Sequence, residues 1–526
     1  MAFALAPLTL VLIAIVVVVA ALQATLQYRR NKKQVKLVVR RKNTSNNASS
    51  AKGSDDLEIA QPILPPGPTP LPILGNAHNL AEYKNCPYEG FTALGKKYGR
   101  VYSLSLGGTP HVVVGNFNDI KEVLITKGNK FDARPDLLRF KLYFGGDREK
   151  SLALCDYSEL QKKRITMVRN YLTFRGEKSF FESFENSIAV EMPVLKDKLD
   201  RQLNKTINAK EILSYCAMNI FTGYMCSKKF DYQDEIFQDL VRKYDYIFED
   251  INNSHVIDVL PILAPFFSSY INSLKNTTSG IKKFIMNSVI QEKYKQFQEN
   301  PNRISDILDI CFLMYEDKDE NERWDWDTIL YIMEDLLGGS SAISNIIMRF
   351  LGYILLYPEA MQKLQEEIDN TIGRDQVPLL SNKKDMLYSQ ATVYEILRIT
   401  SSPIVPHVAT EDTSIGGYAV EKGSVIILNN YEMNTNPDLW DEPDKFMPER
   451  FIVDGNIKKP AHFIPFSTGK RSCVGVKIVV DIVYIVTTTI LQRYNVSLPE
   501  GVTPQLPKGK ISLAWDCFDM IFTLRD

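Results

Sequence analysis

The stretch Phe466-Ser467-Thr468-Gly469-Lys470-Arg471-Ser472-Cys473-Val474-Gly475 is the most chemically specific in the chain. A glycine on either side of the cysteine permits a tight turn that exposes backbone N–H groups, and Lys470 and Arg471 favour an anionic thiolate at Cys473 over the thiol. Such a thiolate is a ligand for a soft or borderline metal. A lone cysteine near basic residues is more often an inert buried side chain, so the reading of Cys473 depends on its company.

That company lies upstream. Glu395 and Arg398, in QATVYEILRIT, are three apart and share one helix face, a pairing usually worth roughly a few tenths of a kcal/mol on a solvated surface. Met447-Pro448-Glu449-Arg450-Phe451 follows, and then the cysteine loop. In that order the three stretches resemble the cytochrome P450 family, whose signature FxxGxRxCxG is matched at every fixed position by Phe466, Gly469, Arg471, Cys473 and Gly475.

The resemblance implies a mainly α fold with a smaller β portion, the cytochrome P450 fold, preceded by one transmembrane helix. It implies heme b (iron protoporphyrin IX) as cofactor, with Cys473 as the proximal thiolate ligand of the haem iron. A thiolate trans to dioxygen donates electron density and favours O–O cleavage. By the same resemblance Arg471 pairs with a haem propionate, and Glu395, Arg398 and Arg450 form a buried ionic network holding the cysteine loop. His407, in VPHVATED, stands where family members often place a propionate-binding residue. Arg164, in LQKKRITMVRNYL, matches the arginine of the family's WxxxR motif, with Leu160 in place of the tryptophan. FDARPDLLRF and PPGPTPLPILGN also look like the family, so the resemblance covers the chain after Gln61.

A long apolar pattern from about Asp327 to Leu356, stopping before Pro358, predicts a helix. Asp335 and Arg349 interrupt it, leaving too short an uncharged run to cross a membrane, so it reads as a helix through the core. Here the family usually carries (A/G)Gx(D/E)T, whose acid and alcohol deliver protons. Aligning Gly338-Gly339 puts Ser341 at the acid and Ala342 at the alcohol. Ser340 and Ser341 are then the candidate catalytic hydroxyls. Sliding by one residue puts Ser341 at the alcohol but Leu337 at a site that needs a small residue. A conventional monooxygenase, less efficient for lack of the acid and alcohol pair, is the leading reading that the resemblance implies; beside it stand a water relay held by Ser340 and Ser341, proton donation by the substrate, or a coupling, dehydration or isomerisation reaction. A haem-binding protein without catalysis is a reading of another class. Gly338-Gly-Ser-Ser-Ala342 with SSPIVPHVAT looks like the Spook group of insect Halloween P450s, which implies a sterol substrate and ecdysteroid synthesis.

From Ala2 to Tyr28 no residue is charged, and the run LAPLTLVLIAIVVVVAALQ meets the ~20-residue length of a membrane-crossing helix. Its n-region has no positive charge and its apolar run exceeds that of a cleaved signal, so residues 1–28 are expected to remain as an anchor. Arg29, Arg30, Lys32 and Lys33 follow, which keeps that flank cytosolic, as in a single-pass protein of the endoplasmic reticulum membrane. Residues 29–64 read as a basic and polar tether, and 65–526 as one haem-thiolate catalytic domain. PPGPTPLPILGN stiffens the junction as a spacer.

Of 526 residues, 62 are Lys or Arg and 63 are Asp or Glu, a balance that removes the electrostatic case for nucleic-acid binding. Seven scattered cysteines with no CxxC pair argue against a disulfide framework or a zinc site. No flavin or nicotinamide fingerprint is present, so the resemblance implies electrons from NADPH through a flavoprotein reductase, with cytochrome b5 as a second donor. Lys162, Lys163 and Lys470 are candidates for its docking face. IDVLPILAPFF, from Ile257 to Phe267, suggests a substrate entrance against the bilayer, with membrane lipid as a partner. Phe140, Phe144, Leu336, Leu337 and Ile404 are candidate pocket liners for a small apolar substrate.

Overall fold

The computed structural model describes residues 63–143, 150–175, 178–253, 255–317, 324–511 and 517–525. The expected anchor, nearly all of the tether and Phe144 lie outside them. Backbone contacts divide the chain into two compact units. Of the described residues, one holds 63–82 with Gly90–Pro135 and Val405–Asn429; the other holds Tyr83–Glu89 and those within Asp136–Ile404 and Asn430–Asp526.

The first unit is built on a four-stranded sheet in the order β1-β2-β4-β3, from β1 (Val101–Leu106), β2 (Thr109–Val114), β3 (His407–Val408) and β4 (Val425–Leu428). β1 and β2 form an antiparallel hairpin, with Val101 opposite Val114 and Leu106 opposite Thr109. Its turn requires positive φ at both central residues, supplied by Gly107 (φ 57°) and Gly108 (φ 81°). The proline-rich spacer lies along β1: Ser103 N–H donates to the Pro66 carbonyl at 2.7 Å, and its hydroxyl to the Pro65 carbonyl at 3.0 Å. Gly67 is needed there, since a Cβ would stand 2.1 Å from the Ser103 oxygen.

The second unit is helical. Its main helices are α1 (Glu159–Leu172), α2 (Lys178–Asp200), α3 (Lys210–Cys226), α4 (Glu235–Asn252), α5 (Ser268–Phe284), α6 (Trp326–Leu356), α7 (Leu387–Thr400) and α8 (Val476–Arg493). The central helix α6 begins where the Asp325 carboxylate caps Thr328 N–H at 2.7 Å and ends before Pro358, as its sequence pattern requires. It is buried on nearly every side and packs against α3, α4, α7 and α8. By length and composition it passes for a membrane span, yet 83% of its most apolar window is buried, which makes it the core helix expected. Each fully buried Ile or Leu on it, such as Ile332, Ile343 and Leu351, contributes about 1.5–3 kcal/mol.

Candidate active site

The cysteine loop closes on itself just before α8. Ser467 (φ 61°) and Gly469 (φ 77°) turn the chain, and Cys473 N–H donates back to the Phe466 carbonyl at 3.0 Å. Phe466 packs against the core and Cys473 is exposed. The protein around Cys473 pushes its thiol pKa up, while the Gly475 N–H and the Arg169 charge pull it down. This corrects the expectation for the loop's own cations. The Lys470 ammonium sits over the Tyr157 ring at 4.0 Å, and Arg471 turns away to the Ala153 and Cys155 carbonyls, so the cation acting on the thiol is Arg169 of α1. No motif marked Arg169; it stands five residues beyond Arg164, and its Nη2 lies 3.5 Å from the Ser472 carbonyl oxygen.

Arg471 is buried, and Nη2 donates to the Ala153 and Cys155 carbonyls at 2.9 and 2.8 Å. Its Nη1 is buried with no hydrogen-bond partner among the described residues. An unsatisfied buried guanidinium N–H costs free energy that an anionic acceptor offsets. A haem carboxylate is such an acceptor and a cysteine thiolate such a ligand, so the donor set fits haem. The segment 151–155 is a hub that sequence reading missed: Gln161 of α1 donates to the Leu152 carbonyl at 2.8 Å, and Asp335 of α6 accepts from Leu152 N–H at 2.5 Å and the Ser151 hydroxyl at 3.0 Å.

Arg164 is buried on α1 and directed to the start of α6, with Nη2 3.4 Å from the Thr328 hydroxyl and the guanidinium 5.8 Å from the Trp324 ring. His407 belongs to the other compact unit. There it is buried on β3, with Nδ1 2.5 Å from the Phe131 carbonyl oxygen. A carbonyl only accepts, so the proton sits on Nδ1, and holding a carboxylate at Nε2 requires the imidazolium form.

Glu395 and Arg398 are completely buried and joined by two bonds of 2.7 Å. Arg450 adds Nε at 3.1 Å from Glu395, and Met447 N–H donates to the same carboxylate at 2.9 Å. Arg398 also donates to the Asn434 and Pro443 carbonyls at 2.7 and 2.8 Å, and Arg450 to the Asp441 carbonyl at 2.7 Å. Among the described contacts this network grips the 434–447 meander. It reaches the cysteine loop at one remove, through Trp440, Phe451 and Phe463, whose rings pack at 4.9–6.1 Å just before that loop.

The cytochrome P450 family model matches residues 65–516. The chain belongs to the cytochrome P450 family. It is 38% identical over 489 residues to cytochrome P450 307a1 of Drosophila melanogaster, covering 88% of this chain and 89% of that one. It is also 29% identical over 453 residues to a horse (Equus caballus) steroid 17-alpha-hydroxylase/17,20 lyase, covering 83% and 87% of the two chains. Cytochrome P450 1A1 of Pleuronectes platessa is 30% identical over 453 residues, covering 82% and 84%. Membership makes the protein an oxidoreductase of the monooxygenase type, and P450 membership carries haem with a cysteine thiolate.

In this P450 the centre of α6 departs from the family pattern in a way the geometry makes concrete. Between Thr328 and Ile354 only Asp335, Gly339 and Ala342 are not buried, a stripe at i, i+4 and i+7. Ala342 is therefore on the accessible side. Ser340 is not: its hydroxyl donates to the Leu337 carbonyl of its own helix at 2.7 Å and faces Met218 of α3. Ser341 is buried too, its hydroxyl donating to Asp245 of α4. α4 approaches closely at Gly338, where a Cβ would stand 3.2 Å from the Tyr244 ring. Leu336, Leu337 and Ile404 are buried core.

Proposed function

We propose that this P450 is a membrane-anchored monooxygenase of the endoplasmic reticulum that inserts one oxygen atom from dioxygen into a sterol-like substrate, in ecdysteroid synthesis. Residues 65–526 act as one haem-thiolate domain facing the cytosol, and electrons come from NADPH through a flavoprotein reductase, with cytochrome b5 as a second donor. The observation that carries the sterol reading is the resemblance of Gly338–Ala342 and Ser401–Thr410 to the Spook group of insect P450s, and the 38% identity to an insect P450, 307a1 of Drosophila, supports it. Similarity to a steroid hydroxylase supports the same substrate class.

Bound at Cys473, haem supplies the activation of dioxygen. The chain's own residues hold the group and shape its surroundings. Arg471 offers its unsatisfied Nη1 to one carboxylate; for Arg164 and His407 the same task is proposed from the family resemblance alone. The network of Glu395, Arg398 and Arg450 fixes the meander that precedes the cysteine loop. Arg169 and the Gly475 N–H stabilise the thiolate against the desolvation that the surrounding protein imposes. On the short helix Pro261–Phe267, Ile262 (67% exposed) and Phe266 (76% exposed) support an entrance lying against lipid.

The test is a binding titration of the haem-loaded full chain with sterols and fatty acids, followed by the haem absorption band, then turnover of the tightest binder with reductase and NADPH. Saturable sterol binding and a reductase-dependent sterol product are expected. Preference for fatty acids, or turnover confined to them, overturns the substrate class.

A further inference from the structure

A buried polar cluster joins three helices behind the accessible stripe of α6. The Ser341 hydroxyl donates to the Asp245 carboxylate of α4. Lys210 of α3 approaches the same Asp245 oxygen at 3.4 Å and donates to the Ser344 hydroxyl at 2.7 Å. Ser214 donates to Ser344 at 3.2 Å, and Ser344 donates to the Ser341 carbonyl at 3.0 Å. Lys210 is 1% exposed, Asp245 5% and Ser341 4%. Isolating a carboxylate and an ammonium this deeply is costly, and a hydrophobic trio of similar volume is often at least as stable, so packing alone gives no reason for the charges. The cluster does hold a continuous run of exchangeable protons. It ends one residue before Ala342, where α6 opens and where its own sequence has neither an acid nor an alcohol.

We infer that Asp245 is a positioning residue for proton supply to the accessible face of α6, acting through Ser341 and backed by Lys210. A carboxylate from α4 thus serves the position at which α6 carries only serine. In the step proposed, the Ser341 hydroxyl turns off Asp245 and its proton passes to a water on the open face beside Ala342. The Lys210 ammonium protonates Asp245, whose carboxyl returns that proton to the Ser341 oxygen, and a hydronium ion from solvent later restores the ammonium. Only O–H and N–H bonds change, and no electron moves. The inference rests on the monooxygenase reading and is independent of the sterol.

The experiment compares the haem-loaded full chain with Asp245→Asn, Ser341→Ala and the double variant, using the carbon monoxide difference spectrum to confirm thiolate ligation. The first reading is hydrogen peroxide released per NADPH consumed with reductase. Each single variant is expected to raise it at least fivefold, and the double variant no further. Turnover driven by an organic hydroperoxide, which already brings oxygen at the peroxide level, is expected within twofold of the parent. A merely structural lesion lowers both kinds of turnover together. The second reading, independent of activity, is a urea-unfolding cycle over the same variants, in which the two single effects are expected to be non-additive. An unchanged peroxide ratio in Asp245→Asn overturns the relay, and an additive cycle overturns the contact itself. A parent that consumes no NADPH with reductase fails the monooxygenase reading instead, and the unfolding cycle still judges the contact.

Discussion

Glu395 and Arg398, three residues apart on α7, are both 0% exposed and face each other through two parallel bonds of 2.7 Å. The pair is therefore not the solvated contact that its spacing ordinarily denotes. Arg398 donates to three meander carbonyls as well, so removing either partner strands a buried charge. Arg398→Ala is expected to lower unfolding free energy by about 3–5 kcal/mol, measured by urea denaturation. A loss below about 1 kcal/mol would show that the network is not holding the meander.

Arg471 presents a second, distinct expectation. It satisfies two carbonyls of the 151–155 hub with Nη2 and keeps Nη1 buried and unsatisfied. Arg471→Ala should cut haem retention by roughly tenfold, about the strength of one charge-assisted hydrogen bond, with the protein still folded by circular dichroism. Retention equal to the parent would separate Nη1 from the cofactor.

Ala342 is partly exposed on the stripe of α6, so a threonine there adds a hydroxyl on the accessible side of the helix. Ala342→Thr is expected to raise product formed per NADPH consumed, by roughly twofold to tenfold, if the chemistry is ordinary oxygen insertion with limited proton supply. Unchanged or lower yield would favour coupling, dehydration or isomerisation.

Asp335 heads the same stripe and is enclosed by protein on its other sides. Burial raises its pKa from 3.8 to about 6, opposed by the N–H groups of Leu152 and Ala153 and the Ser151 hydroxyl. A carboxyl with a raised folded-state pKa binds its proton more tightly in the folded chain. Its stability contribution is thus fullest below 3.8 and is lost as pH rises to about 6. Asp335→Asn should flatten the fall in thermal midpoint across that window. An identical slope in parent and variant would contradict the assignment.

What the sequence made legible is what local chemistry determines. The stop at Pro358 needs only neighbouring residues, and the cysteine loop, Glu395–Arg398 and Arg450 lie in short contiguous motifs. Arg169, Asp245 and the 151–155 hub were not legible, because each acquires its meaning from a distant partner. Asp245 lies 96 positions from Ser341, and Arg471 lies 316 from Cys155. Ser340 and Ser341, adjacent and chemically alike, differ only in which neighbouring helix they meet, and no periodicity in α6 distinguishes them.

The central claim is tested most directly by supplying isotopically labelled dioxygen to the haem-loaded chain with reductase, NADPH and a bound sterol, and weighing the product by mass spectrometry. One labelled oxygen atom per product molecule, absent in Cys473→Ala, is the predicted result. A Cys473-dependent product that carries no label would contradict oxygen insertion and place the chain among enzymes that rearrange or join their substrates.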